Sequence, residues 1–421
     1  MTGKSNAFYA QSGGVTAVIN ASACGVIQAA RDHPEEIDHL YAGRNGILGA
    51  LREEFFDTNL ESPESIAALM HTPGGAFGSC RYKLPNIATS DREYTRLIDV
   101  FAAHNIGYFF YNGGGDSADT CLKVAEVSSA MNYPLQAIHI AKTIDNDLPF
   151  TDCSPGFGSV AKYVSIATNE ASLDIASMCE SSTKVFILEV MGRHAGWIAA
   201  SSGLAAQQQG EPPHIILFPE IAFNRESFIA KVKDTVEEAG YCVIVAAEGA
   251  RYSDGAHLSG SLQKDAFGHQ QLGGVAPALA SMIKHALDYK YHWALADYLQ
   301  RSARHIASAV DVRQAYAVGR EATERALLGE TSVMISIRRT LQSTYDWSLE
   351  TLPLLHVANT EKCMPSDFIR HDGFGITQKA RHYLEPLIVG ESYPPYINGL
   401  PFYVTLKNIL TPKRLKKAFN T

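Results

Sequence analysis

The feature that most limits what this chain can become is a recurring unit: a short apolar stretch, a glycine-rich turn, then a helical pattern. Ala7-Phe8-Tyr9-Ala10-Gln11 runs into Ser12-Gly13-Gly14-Val15-Thr16, and Ala17 to Arg31 reads as a helix. Ile106-Gly107-Tyr108-Phe109-Phe110-Tyr111 runs into Asn112-Gly113-Gly114-Gly115-Asp116-Ser117, with a helix from Ala118 to Met131. Leu135 to Ile140 is apolar and β-branched enough for a buried strand, and it ends at Ala141-Lys142-Thr143-Ile144-Asp145-Asn146-Asp147. Strands that alternate with helices call for a parallel sheet with helical crossovers, hence an α/β fold. A second set follows: Lys184 to Val190 ending in Met191-Gly192-Arg193, then His214 to Glu220, then Tyr241 to Ala247 ending in Glu248-Gly249. The expected organisation is a first α/β domain over 1–150, a second over 151–298, and a segment 299–421 that returns to both. That return is expected to begin at Tyr298-Leu299-Gln300-Arg301, with a helix around Val312 to Leu328. The basic run Lys413-Arg414-Leu415-Lys416-Lys417 reads as a solvated helix end.

Open α/β sheets bind ligands where strands end and loops begin. Lys142, Thr143, Asp145 and Asp147 place a cation, a hydroxyl and two carboxylates at such an edge. The same residue types also serve as ordinary helix caps, and on this stretch alone both readings stand. The Gly13-Gly14 corner offers free backbone N–H groups and a helix dipole to an anion, or it merely turns the chain. Thr72 to Arg81 contains three glycines, a serine and a terminal Arg81, which suits a loop against a phosphate held by a guanidinium fork. A flexible surface loop with a solvated arginine fits equally. Asp116 is either a plain N-cap or a site for Mg²⁺ and steric selection. No Walker A loop occurs. Gly156-Phe157-Gly158-Ser159-Val160-Ala161 matches a dinucleotide pattern, but it follows Asp152-Cys153-Ser154-Pro155 and no clean strand, so it is read as a chance match.

Composition sets the outer bounds. The 421 residues are 46% hydrophobic and 19% charged, enough for a full core and more than one domain. The net charge of −8 and the lack of a long basic run argue against nucleic-acid binding through a broad basic face. Seven scattered cysteines without a CxxC pair argue against a disulfide framework and a zinc site. No apolar run approaches the roughly 20 residues that span a bilayer, and none follows the N-terminus as a signal. The expected setting is a reducing cytoplasm, with no membrane partner.

Taken together, these motifs resemble the phosphofructokinase family, and within it the diphosphate-dependent branch. The likeness rests on family order: the first Gly-Gly corner, Gly78-Ser79-Cys80-Arg81, the glycine-Asp loop, Thr143-Ile144-Asp145-Asn146-Asp147, Met191-Gly192-Arg193, Glu248-Gly249 and Tyr298-Leu299-Gln300-Arg301. It implies two Rossmann-like three-layer domains with parallel-type sheets. It also implies Mg²⁺-assisted phosphoryl transfer to O1 of fructose 6-phosphate in glycolysis. By position, Asp145 would be the general base and Thr143 would contact the same region. Asp147 would help hold Mg²⁺. Met191, Gly192 and Arg193 would contact the sugar, and Glu248 its hydroxyls. Tyr298 and Arg301 would grip the 6-phosphate. Gly13 and Arg81 would contact the phosphoryl donor. Lys184 falls where relatives place a basic residue reaching a neighbouring subunit's site, and a homodimer or homotetramer is expected.

The resemblance also bears on the donor. ATP-using relatives have glycine where this chain has Asp116, and again where it has Lys142. A carboxylate at 116 fills the space of a nucleotide's α-phosphate and repels it, while an ammonium at 142 supports the transferring group; together they select inorganic diphosphate. One departure is Gly115, where many relatives carry an acid linked to the metal, so Asp116 or the pair Asp145 and Asp147 must take that role. The stretch Trp347 to Tyr403 exceeds short bacterial relatives, and Phe368 to Phe374 within it is either a sugar or interface contact or a packed surface element. The competing readings are an ATP-dependent phosphofructokinase and a non-catalytic sugar-phosphate sensor. Use of sedoheptulose 7-phosphate is left open.

Overall fold

The computed structural model describes residues 4–87, 89–208, 210–259, 273–340 and 345–419. The chain divides into two compact units. The first comprises 1–156, 309–361 and 391–421, and the second 157–308 and 362–390.

The first unit opens with β1 (Ser5–Ser12), β2 (Ile37–Gly43), β3 (Phe55–Asp57), the short β4 (Ser79–Cys80), β5 (Ile106–Gly113) and β6 (Gln136–Ala141). The second unit contains β7 (Val185–Val190), β8 (Ile215–Leu217), β9 (Cys242–Ala247) and β10 (Tyr291–Leu295). After the chain returns, β11 (Val333–Arg339) and β12 (Trp347–Pro353) complete the first unit's sheet. Its order is β12-β11-β6-β5-β1-β2-β3, with β4 paired to β1. β11, β6, β5, β1, β2 and β4 are joined in parallel, and β3 and β12 are antiparallel edges. The second unit's sheet, β10-β7-β9-β8, is parallel throughout. The inner strands β1, β5, β6, β7 and β9 are buried runs rich in Val, Ile, Ala and aromatics, as parallel strands covered by helices require.

Each unit has its own core. In the first, Phe8 meets Phe55 at 5.1 Å and Phe101 at 5.6 Å between ring centres, and Phe101 meets Phe109 at 5.6 Å. Helix Ile19–Asp32 packs closely on helix Ala309–Leu327. A Cβ on Gly25 would lie 2.2 Å from the Tyr316 carbonyl oxygen, and one on Gly319 would lie 2.1 Å from that of Ser22. The two helices cross through reciprocal glycines because no side chain fits between their backbones. In the second unit Val185, Ile187, Phe228, Val232, Ile244 and Leu279 form the corresponding core.

Several expectations are corrected here. The basic run near the C-terminus is not a helix end. Residues 409–415 lie as an extended strap on the first unit, where Thr411 N donates to Phe55 O at 2.8 Å and Leu415 N donates to Glu53 at 3.1 Å. Tyr298–Arg301 does not begin the return. It belongs to helix Asp297–Ser302 of the second unit, and the chain re-enters the first unit at Ala309. Within Phe368 to Phe374 both ends are packed and Arg370 to Asp372 are exposed. Phe368 stacks edge-on to Trp197 at 5.8 Å, and Phe374 O accepts from Ile216 N at 2.9 Å. No helix among the described residues is long and apolar enough to cross a membrane.

Candidate active site

In the first unit, four loops leave the C-terminal ends of neighbouring parallel strands. They are Gly13-Gly14 after β1, Arg81–Lys83 after β4, Gly114–Asp116 after β5 and Lys142–Asp147 after β6. Parallel pairing brings these segments to one sheet edge. Gly13 N donates to Cys80 O at 2.9 Å and Ser79 Oγ to Gly13 O at 2.7 Å, tying the first two loops together. Lys142 N donates to Gly113 O at 3.0 Å, and its Nζ donates to Gly14 O at 2.7 Å, so this buried lysine links the loops after β5, β6 and β1. Beneath them on β6, His139 is fully buried. Burial first, and the Lys142 charge second, push its pKa down to about 3 and keep it neutral.

Asp145 is half-buried and held by Thr143. The Thr143 hydroxyl accepts from Asp145 N at 3.1 Å and donates to Asp145 Oδ2 at 3.3 Å. Asn146, with φ of 54°, turns the loop, and its Oδ1 accepts from Ser154 N at 3.1 Å. Thr143 bridges to Gly156, whose N–H donates to Asp311 Oδ1 at 2.9 Å. Gly156 is thereby committed to shaping the Asp145 loop, and helix Phe157–Met178 follows it directly.

Asp116 is not an N-cap. Helix Gly115–Ala130 begins earlier than the sequence pattern indicated, Gly114 takes the cap position, and Asp116 lies in the first turn. Its Oδ1 instead accepts from Lys83 Nζ at 2.9 Å. The exposed Arg81 lies two residues before Lys83. Sequence reasoning missed Lys83, because a lysine after Arg81-Tyr82 carries no local signal that distinguishes it from a solvated one.

The second unit gathers its own set at strand ends. Met191, Gly192 and Arg193 follow β7, Glu248 and Gly249 follow β9, and helix Asp297–Ser302 follows β10, the three strands being neighbours. Gly249 N donates to Gly192 O at 3.2 Å, and a Cβ on Gly249 would lie 2.0 Å from Arg193 O, so only glycine lets these loops touch. Gln300, also missed, is buried and accepts from Met191 N at 3.4 Å. Tyr298 is exposed and lies beneath the Arg301 guanidinium, 3.8 Å from ring centre to Cζ. Lys184 stands apart. It precedes β7, about 20 Å along the strand from Met191.

The phosphofructokinase family model matches residues 6–326. The chain belongs to the phosphofructokinase family. A pyrophosphate–fructose 6-phosphate 1-phosphotransferase of Halomonas elongata is 65% identical over 396 residues, covering 94% of each chain. The crystal structure of a pyrophosphate-dependent phosphofructokinase from Marinobacter aquaeolei superposes with a TM-score of 0.92 at 62% identity, covering 99% of this chain and all of that one. An ATP-dependent 6-phosphofructokinase of Streptomyces coelicolor is 29% identical over 360 residues, covering 83% of this chain and 97% of that one. Among the described residues of this phosphofructokinase, no three His, Cys, Asp or Glu side chains gather to cage a metal. Mg²⁺ needs only one or two carboxylates beside substrate phosphates and water, so the carboxylates on the first unit's strand-end loops, Asp116, Asp145 and Asp147, are of the type that could hold it.

Proposed function

We propose that this chain transfers a phosphoryl group reversibly from inorganic diphosphate to O1 of fructose 6-phosphate, yielding fructose 1,6-bisphosphate and phosphate. The observation that carries the reading is Lys142. Its ammonium is buried at the glycine corner and reaches Gly14 O, while Asp116 stands at the end of the adjacent strand's loop. ATP-using relatives have glycine at both positions.

Asp145 takes the proton from the sugar 1-hydroxyl as O1 bonds to phosphorus and the bridging P–O bond breaks, releasing phosphate. Its backbone and side chain are both held by Thr143, which fixes the carboxylate before substrate arrives. Phosphoryl transfer asks the protein mainly for positioning and charge stabilisation. Lys142 and Arg81 provide positive charge on the donor side, and Gly13 lets the backbone approach. Asp116 and Asp147 would hold Mg²⁺, which would supply further charge neutralisation when bound. On the sugar side Met191, Gly192 and Arg193 contact the sugar, and Arg193 also stabilises the transferring group. Glu248 accepts from hydroxyls, and Tyr298 with Arg301 holds the 6-phosphate. Lys184, far along β7 from that loop, serves a neighbouring copy in a homodimer or homotetramer. The enzyme works in the cytoplasm.

The test compares fructose 6-phosphate phosphorylation by purified protein with diphosphate and with ATP, each with Mg²⁺. Turnover with diphosphate and little or none with ATP is expected. Equal or better use of ATP sinks the donor assignment, and binding without turnover under either donor indicates a sensor.

A further inference from the structure

The acid at 116 raises an electrostatic difficulty. Diphosphate is a multiply charged anion, and a carboxylate beside it disfavours binding unless cations offset its charge; Mg²⁺ would offset part of it, and an ammonium on the carboxylate offsets the rest. The structure contains a remedy. Lys83, in the loop after β4, reaches across to the loop after β5 and places its Nζ 2.9 Å from Asp116 Oδ1. Both side chains are about half exposed, 51% and 45%, so an anion entering from solvent meets the pair and not a naked acid. The neighbouring space is open: a Cβ on Gly115 would have nothing within 4 Å. Lys142 Nζ lies 3.4 Å from where a Cβ on Gly13 would sit and donates to Gly14 O. The loops of this sheet edge therefore carry two ammonium groups, a buried one at the glycine corner and an exposed one on Asp116.

We propose that Lys83 is a donor-specificity residue. Its ammonium neutralises Asp116, so the acid keeps the bulk that occupies a nucleotide's α-phosphate space without repelling inorganic diphosphate. The inference rests on the diphosphate reading above and extends it to a third residue. A simple structural brace makes a different prediction, because exposed ion pairs contribute little to stability and their loss does not single out one substrate.

The experiment uses the full chain with Mg²⁺. Wild-type turnover with diphosphate is measured first; its absence overturns the donor reading itself. Given that turnover, Lys83→Gln should raise the KM for diphosphate about five- to tenfold. The KM for fructose 6-phosphate and the Tm should stay unchanged, and Lys83→Arg should remain within about twofold of wild type. In an Asp116→Asn background the same Lys83→Gln change should raise the KM for diphosphate less than about twofold, since no charge is left to neutralise. An unchanged KM for diphosphate in Lys83→Gln overturns the proposal. So does an equal loss in the Asp116→Asn background, which would mean direct donor contact, or a lowered Tm with all kinetic constants worsened, which would mean a structural brace.

Discussion

Asp145 illustrates how much a single residue can be asked to do. It is half-buried, and the neighbouring Thr143 hydroxyl contacts both its backbone N–H and its carboxylate. A positioned base contributes about 10²–10⁴-fold, or roughly 3–5 kcal/mol of barrier. Asp145→Asn keeps the shape and removes the base. It should lower kcat by about 10²–10⁴-fold while the urea midpoint moves little, as steady-state kinetics beside denaturant titration would show. A large stability loss with modest kinetic loss would place Asp145 in the scaffold. Lys142 stands in contrast, since its buried ammonium has a carbonyl partner at Gly14 that its removal would leave. Substitution there should cost both activity and stability.

At the scale of elements, two contacts are sharply constrained. The Ile19–Asp32 and Ala309–Leu327 helices approach through Gly25 and Gly319, where an added Cβ would overlap a carbonyl oxygen. Gly319→Ala should destabilise by about 1–3 kcal/mol, read as a drop in the urea midpoint, because overpacking forces backbone movement. The second contact is the C-terminal strap. Glu53, buried, accepts from the N–H groups of Arg414 and Leu415 and from His104 Nε2 at 2.8 Å. Burial holds the His104 pKa below its ordinary value. Burial works to raise the Glu53 pKa, but the N–H donors of the strap and His104 outweigh it and leave that pKa low. The signs agree. As pH falls below about 6.5 the unfolded His104 gains a proton that the folded one resists, and below about 4.3 the unfolded Glu53 does the same. Stability should therefore be full above about pH 6.5 and decline on acidification. His104→Gln should flatten the upper part of that decline in unfolding measurements at pH 7.5 and 5.5. An unchanged slope would remove His104 from the account.

For the whole molecule, ligand binding is the readout that involves no single side chain. A donor that binds the folded chain and not the unfolded one stabilises it by RT ln(1 + [L]/Kd), about 2.7 kcal/mol at a hundredfold excess over Kd. Diphosphate with Mg²⁺ should raise the Tm in a concentration-dependent way, and ATP with Mg²⁺ should not. A matching shift with ATP would remove the selectivity argument. The same scale shows which features were legible without coordinates. Strand, glycine turn and helix follow from side-chain periodicity and backbone sterics among near neighbours, so the α/β alternation, the parallel sheets and the loops carrying Gly13, Asp116, Lys142, Asp145, Arg193 and Glu248 could be read from the chain. The helix start at Gly115, where the side-chain pattern points to Ala118, was not legible because three consecutive glycines leave the start to packing, not propensity. The Lys83–Asp116 pair joins residues 33 apart, and the strap contact at Glu53 joins residues 361 apart. Neither leaves a periodic or compositional trace. Local chemistry determined which elements form and where reactive side chains leave them. Only the folding of distant segments onto one sheet edge decided which charges meet, because electrostatic and hydrogen-bond partners are set by distance in space and not along the chain.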